Sequence, residues 1–124
     1  MDYTIEDAHR ILEQACTEIP DELFAELNGG IILLDEIKYH ERSINNTLLV
    51  LGTYERFGVR KQINIYYQSI KKAFPILSED ALYRKLSEIL KHEIQHHTEF
   101  RARLRDLEIE DEININNYLD KKKF

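Results

Sequence analysis

Two histidines with three residues between them, and a glutamate directly after the first, stand at His92-Glu93-Ile94-Gln95-His96. On a helix, positions i and i+4 share one face, about 40° apart at 100° per residue, so both imidazoles can converge on one cation. Neutral imidazole suits zinc, and a third ligand from elsewhere would leave the fourth position open for water. Bound zinc lowers the pKa of that water from 15.7 toward about 7, and Glu93 is then placed to accept its proton. The chemistry implied is hydrolysis. With 5 His in 124 residues, random placement yields roughly 0.02 such patterns, so the spacing is specific.

The pattern requires a helix, and the flanking residues supply one. Ser78 suits an N-cap, Glu79 and Asp80 the first turn, and Leu77 and Leu82 a hydrophobic staple. No Gly or Pro follows through at least Arg105, which predicts a long helix serving as the spine of the fold. With Leu82 at zero on a helical wheel, Leu86, Ile89, Leu90, Phe100 and Leu104 fall within about 80° of one direction and define a core face. Glu93 falls inside it, at about 20°, where a carboxylate without a chemical reason costs several kcal/mol. His92, His96 and Glu99, at about 280°, 320° and 260°, form a stripe along one border, where a cleft can run. His97, at about 60°, is expected to be a hydrogen-bonded core histidine.

The rest of the chain predicts the elements that must hold this helix. Thr4 and Asp7 form a capping-box pattern, after which Ile5, Ala8, Leu12, Ala15 and Ile19 recur at helical spacing. Cys16 reads as a small hydrophobe beside that face. Pro20 suits the first turn of a short second helix carrying Leu23, Phe24 and Leu27, which Asn28, Gly29 and Gly30 end. The apolar runs Ile31 to Leu34 and Leu48 to Leu51 predict buried strands, with a polar loop containing His40 between them. After turn signals at Gly52 and Gly58, Ile63, Ile65 and Tyr67 alternate with Asn64 and Tyr66, as in a half-exposed strand at the sheet's edge. Ile70 and Phe74 suggest a short helix before Pro75. The expected fold is α+β, a small mixed sheet packed on helices with a long motif-bearing helix. Residues 108–124, acidic, amide-rich and then basic, are expected to be a mobile or docked tail.

Length and charge narrow the function. A chain of 124 residues makes one domain, here residues 1–124, large enough for its own core. Seventeen basic against 23 acidic residues give a net charge of −6, which repels phosphate backbones and argues against nucleic acid as a partner. Apolar runs of four residues are far below the roughly 20 needed to cross a bilayer, so no membrane association is expected. One cysteine and a start without a basic or apolar leader predict a cytoplasmic protein.

At His92 to His97 the sequence resembles a short bacterial metallopeptidase family with a minimal zincin-like fold, whose signature is H-E-x-x-H-H. Ile19-Pro20-Asp21-Glu22-Leu23 resembles that family's early helix, and Leu51-Gly52-Thr53-Tyr54-Glu55 its L-G-x-Y-E segment, so the likeness covers most of the chain. The resemblance implies a zinc peptidase acting on peptide or protein substrates, with an edge strand beside the site, taken as Ile63 to Tyr67. The commoner form of the family has Gly and Asp where this chain has Glu99 and Ala102. The chain instead resembles a branch reading H-E-x-x-H-H-x-E and then R-D-L-E, at Glu99 and Arg105 to Glu108. Glu99 therefore stands first as third metal ligand and Asp106 second, by folding back past a helix end; either can instead orient a histidine through its free ring nitrogen.

The leading expectation is a zinc metallopeptidase with His92 and His96 as ligands and Glu93 as general base. The alternative is a non-catalytic module in which the metal only holds helix to sheet. A third reading, a di-iron helical bundle, follows from the second E-x-x-H at Glu6 to His9, against which the strand-like middle argues. Oligomeric state is not legible in the sequence.

Overall fold

The computed structural model describes residues 3–42, 44–45 and 48–121, with side chains described as far as Leu107. Helix α1 (Ile5–Thr17) opens on the expected capping box: the Thr4 hydroxyl accepts from the Asp7 amide and the Asp7 carboxylate from the Thr4 amide. These two bonds satisfy donors that the first turn cannot pair internally. A single 3-10 turn, Asp21–Phe24, stands in place of the expected two-turn helix. Strand β1 (Gly30–Leu34), strand β2 (Gly52–Phe57), strand β3 (Arg60–Tyr66), helix α2 (Tyr67–Ala73) and helix α3 (Glu79–Lys121) follow.

The sheet is mixed and three-stranded, in the order β1-β3-β2, with β1 parallel and β2 antiparallel to the central β3. Gly58, at φ 59°, makes the tight turn between β2 and β3, where a side chain would be strained. Ala8, Ile11 and Leu12 of α1, Ile63 and Ile65 of β3, Ile70 of α2, and Leu82, Leu86, Ile89, Leu90 and Ile94 of α3 close one core around the sheet. This is the α+β arrangement anticipated, with α3 lying against α1, β2 and β3.

Two strand expectations are corrected. Residues Leu48 to Leu51 are not a strand, apart from one bridge between Tyr39 and Leu49. The register pairs Gly52 with Ile65, and the Tyr66 amide still reaches the Leu51 carbonyl, but β3 then turns into α2 at Tyr67, and residues 48–50 pair instead with 38–40, where the His40 amide donates to the Leu48 carbonyl and the Val50 amide to the Lys38 carbonyl. Ile63 to Tyr67 is not an edge either, because β3 is flanked by β1 and β2. Despite their polar alternation, Asn64 and Tyr66 are both buried, and the Asn64 side-chain oxygen accepts from the Gln62 side-chain amide. The edge strand beside α3 is β2.

Ser78 caps α3 as anticipated, its hydroxyl accepting from the Ala81 amide. The helix backbone is unbroken to Lys121, so the segment expected as a tail continues the helix through that residue. Side chains beyond Leu107 and residues 122–124 lie outside the described residues. No helix among the described residues is long and apolar enough to cross a membrane.

Candidate metal centre

Because α3 is regular at the motif, His92 and His96 stand one turn apart on its exposed side while Glu93 turns under them. The two imidazoles meet edge to face, with ring centroids 4.8 Å apart and an interplanar angle of 87°. Their Nε2 atoms are 3.3 Å from each other. The Glu93 side chain is buried, 5% exposed, and its carboxylate joins the two ring nitrogens in a cluster whose ligand atoms all lie within 4.8 Å. Burial holds the Glu93 carboxyl above the usual carboxylate range, an effect that charge on His92 and His96 partly offsets.

A zinc site demands a particular separation of its ligand atoms. Two nitrogens at 2.0–2.1 Å from one tetrahedral ion stand about 3.3–3.4 Å apart. The histidine pair therefore already has the bite of a tetrahedral metal, with the carboxylate beneath it.

Glu99 is not brought to this pair. Its Oε2 lies 3.9 Å from Nδ1 of His96, on the other nitrogen of the ring, and its Oε1 accepts from the Gln95 amide at 3.1 Å. Asp106 does not fold back, since α3 has no end before it; ten residues of helix put it about 15 Å beyond His96. The other E-x-x-H is not assembled at all: His9 pairs with Glu13 on the exposed side of α1, and a three-stranded sheet replaces the helices a di-iron bundle needs.

His97 is fully buried and bonded at both ring nitrogens, as a core histidine should be. Its Nδ1 lies 2.7 Å from the Tyr54 hydroxyl and its Nε2 2.7 Å from the Ala25 carbonyl oxygen. Tyr54 is the residue whose part the sequence alone did not reveal, for nothing in the spacing of β2 says that it reaches α3. Cys16 is half-buried, and burial followed by the Glu13 charge pushes its thiol up, away from reactivity.

Beside the cluster runs an open groove of about 860 Å³ between β2 and α3. Gly52, Thr53, Tyr54 and Arg56 line one wall, and Glu93, His96, Phe100 and Arg103 are among those lining the other. Gly52, a turn signal in the sequence, opens β2 in close approach to α3. A Cβ at this position would sit 2.6 Å from Ile89 Cγ2 and 3.5 Å from Glu93 Cγ. The missing side chain lets the strand lie directly against the helix at the glutamate.

Fold and site together define a small α+β domain with a histidine pair on its longest helix and an open strand edge alongside. No protein-family model matches the chain, and no curated protein matches it. Among solved structures, a conserved hypothetical protein from Thermus thermophilus is similar, with a TM-score of 0.69 and 23% identity over 80% of this chain and 97% of that one. At that identity the likeness establishes a shared fold and carries no activity across.

Proposed function

We propose that this chain is a zinc-dependent metallopeptidase with a minimal zincin-like fold, working in the cytoplasm on peptide or protein substrates. The observation that carries the reading is the 3.3 Å separation of the His92 and His96 Nε2 atoms directly above the buried Glu93. His92 and His96 would hold the ion through these atoms, and Glu99, with its Oε2 3.9 Å from Nδ1 of His96, is near enough to close to a hydrogen bond that would orient that ring. When bound, zinc supplies an acidified water and a polarising charge for the scissile carbonyl. Glu93 takes the proton from the attacking water and passes it to the leaving amine. Its raised pKa suits both halves of that task, since a carboxyl in poor solvent is a stronger base than a hydrated one. The open edge of β2 offers backbone groups to an extended substrate in the groove.

A Glu93→Gln protein tests the assignment. It should retain zinc, because both imidazoles remain, yet lose peptide cleavage by about a hundredfold or more. Equal turnover in that variant would remove Glu93 as the base. A metal-stabilised binding module is the second reading, favoured by the fact that the cluster among the described residues contains two imidazoles and no third histidine or cysteine. It expects zinc retention with no cleavage by the unaltered protein.

A further inference from the structure

The groove carries charge of both signs. Glu93 and Glu99 line it, and so do Arg56 from β2 and, one turn beyond Glu99, Arg103 from α3. Phe100 is seven residues beyond Glu93, about 10 Å along the helix, and Arg103 is about 15 Å along it. Four residues of strand separate Arg56 from Gly52, where β2 meets Glu93, which is about 13 Å. Strand and helix thus deliver the two guanidinium groups to the same end of the groove.

Arg56 is also positioned before any ligand arrives. Its guanidinium carbon lies 4.0 Å from the centroid of the Phe100 ring, a cation-π contact that fixes the side chain without neutralising it. Arg10, Arg84 and Arg101 each pair with a carboxylate. Among the described residues, Arg56 and Arg103 have no such partner, nor do Arg42, Arg60 and Arg105, but only the first two line this groove. In a protein of net charge −6, two unpaired guanidinium groups flanking an aromatic ring in the candidate substrate groove are suited to a planar anion from outside, for which Arg offers paired donors.

We propose that Arg56 and Arg103 form a carboxylate-reading subsite, so that the protein selects extended peptides with a carboxylate three to four residues from the bond facing Glu93. The spacing follows from 10 to 15 Å of groove and about 3.3 Å per residue of extended chain. The carboxylate belongs either to an acidic side chain or to the peptide's own C-terminus. This inference rests on the hydrolytic reading for the bond that is cut, and on the groove alone for the charge that is recognised.

Fluorescent ten-residue peptides, identical except for one glutamate moved along a neutral sequence and each made with a free or amidated C-terminus, test it. Anisotropy titrations use zinc-loaded Glu93→Gln protein, and cleavage assays use the unaltered protein. A carboxylate at the favoured spacing should tighten binding about tenfold over the neutral amidated peptide. In an Arg56→Gln/Arg103→Gln protein, that ratio should fall toward one. A preference surviving amidation assigns the carboxylate to a side chain, and one lost on amidation assigns it to the chain end. Equal binding of neutral and acidic peptides, equal benefit from a glutamate at every position, or a preference that persists in the arginine variant would overturn the subsite. Charge-selective binding without any cleavage would remove the hydrolytic reading and leave the subsite standing. Cleavage indifferent to charge would do the reverse.

Discussion

The Tyr54 hydroxyl lies 2.7 Å from Nδ1 of His97, and Nε2 of the same ring lies 2.7 Å from the Ala25 carbonyl oxygen. A carbonyl only accepts, so Nε2 carries a proton, and in the neutral ring Nδ1 accepts from the tyrosine. One buried imidazole thereby ties three segments together: β2, α3 and the turn after Phe24. Being immediately C-terminal to His96, it also anchors the turn of α3 that carries the His92–His96 pair. This gives a physical reason for a histidine directly after H-E-x-x-H and for a tyrosine in the strand opposite.

Tyr54→Phe removes the donor and leaves Nδ1 buried without a partner. The expected cost is about 1 to 3 kcal/mol, measured by urea unfolding of the metal-free protein. A change within about 0.5 kcal/mol would mean that water replaces the hydroxyl and that the tie is weaker than its geometry implies.

Gly52→Ala tests the contact between strand and helix. The added methyl meets Ile89 Cγ2, an atom next to the branch point of a β-branched side chain that cannot swing clear. Destabilisation of about 1 to 3 kcal/mol and a loss of cleavage are expected, because β2 must move away from Glu93. Combining it with Ile89→Ala should restore part of the activity. Full activity in the single variant would show that strand and helix separate freely.

The burial of Glu93 works against stability at neutral pH. Its carboxyl is raised by burial, so the folded metal-free protein resists ionising it while the unfolded chain ionises near the ordinary value of 4.5. Its contribution to stability is therefore fully present below that ordinary value and declines as pH rises through the folded-state pKa. Metal-free Glu93→Gln protein should match the wild type in thermal stability at low pH and exceed it at neutral pH, with a gap that opens as pH rises and then levels off. A gap independent of pH, or of opposite sign, would contradict the burial argument.

Much of this arrangement was legible in the residues. Ser78, Leu77 and Leu82 announce the start of α3 because capping and stapling are local chemistry, and the wheel correctly put Glu93 and His97 inward because α3 is straight there. What failed was pairing. Asn64 and Tyr66 look like solvent-facing positions, but whether a strand lies at the centre or the edge depends on neighbours far away in sequence, and their burial became apparent only with β1 and β2 on either side. Leu48 to Leu51 has the composition of a strand but joins the sheet only at Leu51, because β3 bends into α2, and its earlier residues bridge to 38–40, a stretch whose polar composition reads as loop. The fold-back of Asp106 required a helix end after Arg105, and no residue there breaks the helix. The arginine end of the groove carries no local signature, since Arg56 and Arg103 come to one groove only through the placement of β2 against α3.

If the chain is a zinc enzyme, the His92 and His96 Nε2 atoms hold a divalent ion over Glu93. Anomalous difference maps from crystals of zinc-loaded protein, recorded on either side of the zinc absorption edge, measure this directly. A single peak at about 2.0 to 2.1 Å from both Nε2 atoms is the expected result. A map with no peak between the two rings, or with zinc only at unrelated surface residues, would contradict it.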